Sequence, residues 1–384
     1  MNVKKLICTS LSAVLIAAAF SGCSAAKEPD APPIYSPSYD YVKPLGRTAI
    51  ADDGSLWLVH SGTGAEFTFN GTKASITMEG DSNASPSAEG NLARIAIYVN
   101  GERVVDDTID AAEKTYTVFE SQEAAECDVK IVKLSEAGNS TCGIKSIEVT
   151  SEEPIRPAEK KERFIEFIGD SITCGYGVDD EYRDHHFSTA TEDVTKTYAY
   201  KTAEKLNADY SMVSMSGHGI ISGYTTGAKV PTQVIPKLYS KLGSSGGMYN
   251  GKSAITMAWD FTGYTPDAIV INLGTNDSSY VKRNEEKTEE FRAAYVEFLK
   301  KIRSSNPDAV IFCTLGIMGN DLYPAIEHAV SDYTGETGDT KVTAMMFDVQ
   351  DQNDGIAADW HPSEKTHEKA AEKLSAYISE YMGW

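Results

Sequence analysis

Four short stretches of this 384-residue chain carry residue types suited to acyl transfer. The first is Gly169-Asp170-Ser171, directly after the apolar run 164–168. A serine at a tight strand-to-helix turn projects its hydroxyl into a crevice. The start of the next helix then offers backbone N–H groups and a positive dipole end to a developing oxyanion. The tripeptide is also ordinary turn chemistry. The second stretch, Met215-Ser216-Gly217-His218-Gly219, has a glycine that lets the backbone approach a substrate and aim an N–H at it, or is a plain loop. In the third, Gly274-Thr275-Asn276-Asp277, the Asn276 amide can donate to the same oxyanion, or cap a helix.

The fourth is Ala358-Asp359-Trp360-His361-Pro362-Ser363. A serine nucleophile needs a base, and the base needs an orienting partner. Of the seven histidines, His60 lies in a region of short strands, and His328 and His367 fall within helical stretches. His185 and His186 sit in an acidic loop, and His218 in the second stretch. His361 alone combines a carboxylate two residues away, Asp359, with a position at the mouth of the final crossover.

The elements that must hold these residues fall into two patterns. After residue 163, apolar strands at 164–168, 212–215, 268–273, 310–315 and 344–349 alternate with helices. Phe291, Tyr295, Phe298, Leu299 and Ile302 share one helix face, and another helix from 363 to about 382 closes the chain. Such alternation gives an α/β domain whose parallel sheet is covered by helices on both faces, with ligands beyond the carboxyl ends of the strands. From 46 to 150 the period is two, with Asn70-Gly71 and Asn100-Gly101 reading as hairpin turns. That region is all-β, a sandwich or jelly roll. Residues 151–162 carry two prolines and a charge run and read as a linker.

Lys4 and Lys5 precede an apolar run over 6–20, shorter than a membrane span but suited to a signal peptide over 1–22. Ser21-Gly22-Cys23 resembles a bacterial lipobox, in which Cys23 is acylated; an ordinary secretory signal cleaved nearby is the alternative. Both place the protein outside the cytoplasm, and the first anchors it to the cell envelope by lipid. The proline-rich residues 23–45 read as a tether. The net charge of −21 repels phosphate backbones and argues against nucleic acid as a partner. Outside the leader, Cys127, Cys142, Cys174 and Cys313 read as core thiols. A hairpin centred on Ala137 would pair Cys142 with Val132 rather than with Cys127. No His/Cys cluster has zinc-like spacing, so neither metal nor organic cofactor is expected.

In order, Gly169-Asp170-Ser171, Gly217, Gly274-Thr275-Asn276-Asp277 and Asp359-Trp360-His361-Pro362 resemble the four blocks of SGNH (GDSL-type) hydrolases. With Gly46-Arg47-Thr48, Leu56-Trp57, Ser61-Gly62 and Ala258-Trp259-Asp260-Phe261, nearly all of the chain after the leader resembles carbohydrate esterase family two. The resemblance implies Ser171 as nucleophile and His361 as base, then acid, with Asp359 as orienting carboxylate. The oxyanion hole would be the Ser171 and Gly217 amides and the Asn276 side chain. The wider superfamily places its aspartate three residues before the histidine, where this chain has Ala358. Some relatives orient the histidine with a backbone carbonyl instead.

The implied activity is removal of O-acetyl groups from polysaccharide, acetylated xylan or glucomannan. Rival readings are another acyl substrate (cell-wall O-acetyl, lysophospholipid or thioester) and an inactive, sugar-binding surface lipoprotein. Tyr224, Trp259 and Tyr323 are candidate sugar platforms, and Trp360 is expected to pack beside the histidine.

Overall fold

Alternation along the first region folds into ten strands: β1 (Ile34–Tyr35), β2 (Lys43–Leu45), β3 (Thr48–Ile50), β4 (Leu56–Leu58), β5 (Gly64–Gly80), β6 (Arg94–Val99), β7 (Glu102–Thr108), β8 (Glu113–Lys133), β9 (Cys142–Ser151) and β10 (Arg156–Pro157). The coordinates are a computed structural model that describes residues 32–88 and 90–384. The leader and Cys23 lie outside them. The strands pair antiparallel in the order β3-β4-β9-β5-β8-β6-β7, with β1 on β9 and β2 and β10 on β5, and form a β-sandwich. Along β5, Phe67, Phe69, Ala74, Ile76 and Met78 point inward, which fixes the register, because a one-residue slip would expose all five.

Local signals and long-range pairing agree at one turn and part company at two places. Asn100 and Gly101 do turn between β6 and β7, both in the left-handed region at φ 51° and 82°. Asn70-Gly71 does not: β5 runs straight through it, and Gly71 is there because a Cβ would lie 2.3 Å from the Thr150 carbonyl oxygen. Nor do β8 and β9 form a hairpin, since β5 lies between them. Cys142 therefore sits opposite Gly80 and Leu58 rather than Val132, and all four described cysteines are buried and free.

Two segments read as connectors are part of the fold. The tether expected through residue 45 has joined the sheet by Ile34, and Val42 and Leu45 are buried. Within the expected linker, Ile155 is buried and Arg156–Pro157 pairs with Thr68 and Phe67. Residues 32–384 consequently form one compact unit.

The second region alternates β11 (Arg163–Gly169), α1 (Ser171–Cys174), α2 (Tyr198–Lys205), β12 (Ala208–Ser214), α3 (Ile235–Leu238), β13 (Ala268–Asn272), α4 (Thr275–Val281), α5 (Glu285–Ser305), β14 (Val310–Ile317), α6 (Tyr323–Thr337), β15 (Val342–Val349) and α7 (Glu364–Met382). All five strands are parallel, in the order β12-β11-β13-β14-β15. Chain order reverses at β11, so a crevice opens beyond its carboxyl end between neighbours that lead to opposite faces. α5 begins where the Asn284 side chain accepts the Lys287 amide, and it buries Phe291, Tyr295, Phe298, Leu299 and Ile302 against the sheet. Burying each such side chain contributes about 1.5–3 kcal/mol.

The two regions share their cores. Trp57, Val59 and Ala137 pack with Ile168, Val213 and Tyr249, and Leu45, Ala96, Val132 and Leu134 pack with Ile165, Phe167 and Tyr198. Arg47 carries the junction further. Its guanidinium is wholly buried, donates to Glu166 Oε1 of β11 at 2.7 and 3.2 Å, and lies 4.8–5.8 Å from the ring centroids of Tyr239, Phe261, Trp259 and Tyr264. The Gly46-Arg47-Thr48 and Ala258-Trp259-Asp260-Phe261 stretches thus meet in space as a cation inside an aromatic box.

Candidate active site

Ser171 opens the short helix α1 at the carboxyl end of β11, which lies between β12 and β13. Asp170 caps that helix, its carboxylate accepting the Ile172 amide at 3.0 Å, and the Ser171 amide is a first-turn donor with no partner within the helix. Gly217 follows β12 with φ 73°, a conformation that favours glycine, and a Cβ there would meet nothing within 4 Å. The backbone at Gly217 therefore borders open space on the side a side chain would take. Asn276, in the first turn of α4, donates its amide to the His218 carbonyl at 2.9 Å and to Asp170 Oδ2 at 3.2 Å. Asp277 beside it accepts the Ile220, Ile221 and Ser222 amides and so ties the Gly217 loop to α4.

His361 arrives from the other end of the chain. Its Nε2 lies 2.8 Å from Ser171 Oγ, and its Nδ1 lies 3.2 Å from the Ala358 carbonyl oxygen. A carbonyl only accepts, so Nδ1 carries the proton and Nε2 presents its lone pair to the serine hydroxyl. Burial lowers the His361 pKa to about 4, against the opposing pull of the Ala358 and Asp359 carbonyls and the Asp359 charge. The imidazole is thus held as the free base that accepts a proton.

Asp359 does not orient His361 through Nδ1 as expected. Its carboxylate turns away, accepting the Tyr176 hydroxyl at 2.6 Å and the Phe187 amide at 3.0 Å, with His186 Nδ1 at 2.9 Å. The reason is the backbone. Asp359 and Trp360 are both left-handed, at φ 48° and 65°, and this swings the Asp359 side chain off the histidine face. Despite partial burial, the bonds from Tyr176, His186 and Phe187 hold the Asp359 carboxyl below the usual carboxylate range. With the Asp359 amide donating to the His185 carbonyl at 3.0 Å, these contacts clamp the loop that carries His361.

Trp360 does not pack beside the histidine. It stands 48% exposed, its ring covered by the Arg183 guanidinium at 4.3 Å. Tyr176 takes that place, stacked on the imidazole at 3.9 Å and 18°. Tyr176 belongs to no motif in the sequence, and His186 stands there only as one histidine of an acidic loop. The one cue to Tyr176 is an aromatic residue between two glycines, five residues after Ser171. Of the expected platforms, Tyr224 is 62% exposed and its amide donates to the Gly217 carbonyl at 2.9 Å. Tyr323 is half-buried at the start of α6. Trp259 lines a cavity with Phe164, Asp209 and Asp267, at the amino-terminal edge of the parallel sheet and away from Ser171.

A test of the Asp359 arrangement follows. Asparagine tolerates the left-handed backbone and keeps an acceptor for Tyr176 or Phe187. Asp359→Asn should therefore lower kcat by less than about tenfold, where loss of a tautomer-fixing aspartate costs about 10⁴-fold. Steady-state kinetics on an aryl acetate separate the two.

Residues 44–158 match the family model for the carbohydrate esterase 2 N-terminal region, and residues 167–369 match that of the GDSL-like lipase/acylhydrolase family. The chain belongs to the GDSL-like lipase/acylhydrolase family. The region before its hydrolase fold is that of the family two carbohydrate esterases. The chain is similar to the cellulase/esterase CelE of Acetivibrio thermocellus, 32% identical over 88% of this chain and 39% of CelE. It thus spans well under half of that relative. It is also similar to an acetylxylan esterase/glucomannan deacetylase of Cellvibrio japonicus, 25% identical over 90% of each chain. Among solved structures, a family two carbohydrate esterase from Clostridium thermocellum in complex with cellohexaose superposes with a TM-score of 0.77. The two are 29% identical, covering 89% of this chain and 99% of that one.

Proposed function

We propose that this protein is a serine esterase that removes O-acetyl groups from plant-type polysaccharides, acetylated xylan or glucomannan, through an acetyl-serine intermediate. The observation that carries it is the 2.8 Å approach of His361 Nε2 to Ser171 Oγ, with the Nδ1 proton fixed on a backbone carbonyl. Ser171 Oγ attacks the acetyl carbonyl as His361 takes its proton. The oxyanion is met by the Ser171 and Gly217 amides and by Asn276, which gives up its longer bond, to Asp170, in exchange. Collapse expels the sugar alkoxide, protonated by His361. Water then attacks the acetyl-serine with His361 again as base, and acetate and free serine result.

The names of the relatives, an acetylxylan esterase/glucomannan deacetylase and a cellohexaose complex, support a polysaccharide substrate. So do the exposed rings of Tyr224 and Trp360, each attached to a loop of the candidate site. Lipid attachment at Cys23, outside the cytoplasm, is part of the same proposal. Loss of membrane association in Cys23→Ala tests it. The activity itself is tested by acetate release from acetylated xylan, acetylated glucomannan and an aryl acetate. Release from a polysaccharide supports the reading; release from the aryl acetate alone counts against the sugar substrate, and release from none against the esterase.

The pH profile should be shifted to acid. With burial holding His361 at about 4, the free base survives well below the ordinary imidazole value of 6.5. kcat/KM on an aryl acetate should stay level from neutrality to about pH 5 and fall below it, since the protonated base is inactive. An acid limb near 6.5 would contradict the buried, uncharged histidine.

A further inference from the structure

The loop that follows β8 brings a carboxylate from the β-sandwich to the underside of the candidate oxyanion hole. Glu136 Oε2 accepts the Ser216 amide at 3.2 Å and also the Ser216 hydroxyl. Ser216 immediately precedes Gly217, so two bonds to one carboxylate oxygen set the turn from which the Gly217 amide emerges. Glu136 is 5% exposed, and its own amide donates to Glu192 Oε2 at 2.7 Å. Lys133 Nζ, wholly buried, donates to the Ser135 and Glu136 carbonyls at 2.6 and 2.8 Å and fixes the loop from behind.

Burying a carboxylate is costly unless its oxygens are satisfied. Here a second carboxyl lies beside it. One oxygen each of Glu136 and Glu192 and the Cys174 Sγ lie within 4.8 Å of one another. Glu192 is fully buried, and its Oε1 has no hydrogen-bond partner among the described residues. Burial and the Glu136 charge push the Glu192 carboxyl well above the usual carboxylate range, which favours its neutral form beside Glu136. The three atoms could also suggest a metal ion. Against that, the Cys174 thiol is raised by burial and donates to Ser214 Oγ at 3.3 Å, and Glu136 Oε2 is taken by Ser216.

We propose that Glu136, supplied by the β-sandwich, is a positioning residue for the oxyanion hole: it fixes the Ser216–Gly217 turn so that the Gly217 amide is held for the developing oxyanion. The proposal rests on the esterase reading above, and it makes the β-sandwich a working part of the hydrolase site.

The test compares the full chain with Glu136→Ala and Glu136→Gln on an aryl acetate. Loss of one oxyanion donor costs about 10²–10³ in kcat, and a loosened donor somewhat less. Glu136→Ala should therefore lower kcat by about 10- to 100-fold while KM stays within about twofold. Glu136→Gln keeps an oxygen for both Ser216 donors and offers an N–H to Glu192, so it should restore kcat to within about threefold of wild type. Should the alanine variant not fold, Glu136→Asp withdraws the carboxylate by one methylene and should show the same split. A lowered melting temperature with unchanged kcat would reduce Glu136 to a structural role and overturn the proposal. So would wild-type activity lost to a chelator and restored by zinc, which would make the cluster a metal site. Wild type inactive on the aryl acetate overturns both readings; active wild type with unaffected Glu136 variants overturns this one alone.

Discussion

Replacing His361 with alanine should lower kcat on an aryl acetate by about 10⁴–10⁶-fold, or about 5–8 kcal/mol of transition-state stabilisation. The magnitude follows from the absence of a substitute base among the described residues. His186 is engaged by Asp359, His367 Nδ1 accepts the Tyr198 amide in the core at 3.1 Å, and His218, although its Nδ1 lies 2.9 Å from the Ser216 carbonyl, makes no hydrogen bond to Ser171 Oγ as His361 does. Without Nε2 at 2.8 Å, the Ser171 hydroxyl must lose its proton to water at a cost that neither amide donor offsets. KM should move little, because the imidazole is matched to the transferring proton rather than to the resting substrate. A loss under about tenfold, with the fold intact by circular dichroism, would mean that the proton goes elsewhere.

Arg47→Ala should destabilise the protein by about 3–5 kcal/mol, because it leaves Glu166 charged and buried without its partner. Both side chains have no exposure, and Glu166 sits on β11, the strand that ends at the nucleophile. The Tyr239 and Tyr264 hydroxyls also donate to Glu166, at 2.9 and 3.2 Å, but cannot neutralise it. Urea unfolding measures the loss. Replacing both members by methionine should recover much of it, since the unpaired charge and not the missing bond is the main cost. A single-variant loss below about 1 kcal/mol would show that water or proton uptake compensates Glu166.

The parts of this architecture that were legible in the sequence are those set by neighbours in the chain. An apolar run followed by Gly169-Asp170-Ser171 reads as a strand, a cap and a helix start because those contacts span only a few residues. The α5 face is legible for the same reason, its periodicity being its packing surface. Asn70-Gly71 has the local signal of a turn, yet pairing with two neighbouring strands outweighs it. The connectors at 32–45 and 151–162 were recruited by edges of the sandwich that lie far away in sequence. Asp359 shows the limit most clearly. Two residues before a histidine is a spacing, not a direction, and the direction came from two consecutive left-handed residues and from Tyr176, 183 positions upstream. Glu136 was hidden likewise, because its meaning depends on a turn in the other region.

The central claim is that Ser171 is activated by His361, and labelling tests it without a choice of substrate. A fluorophosphonate reacts with a serine hydroxyl only where a base has made it nucleophilic. Labelled protein, digested and mapped by mass spectrometry, should carry one adduct, on the peptide containing Ser171. The adduct should disappear in Ser171→Ala and fall to background in His361→Ala. An adduct on another serine, or unchanged labelling of Ser171 without His361, would contradict the account.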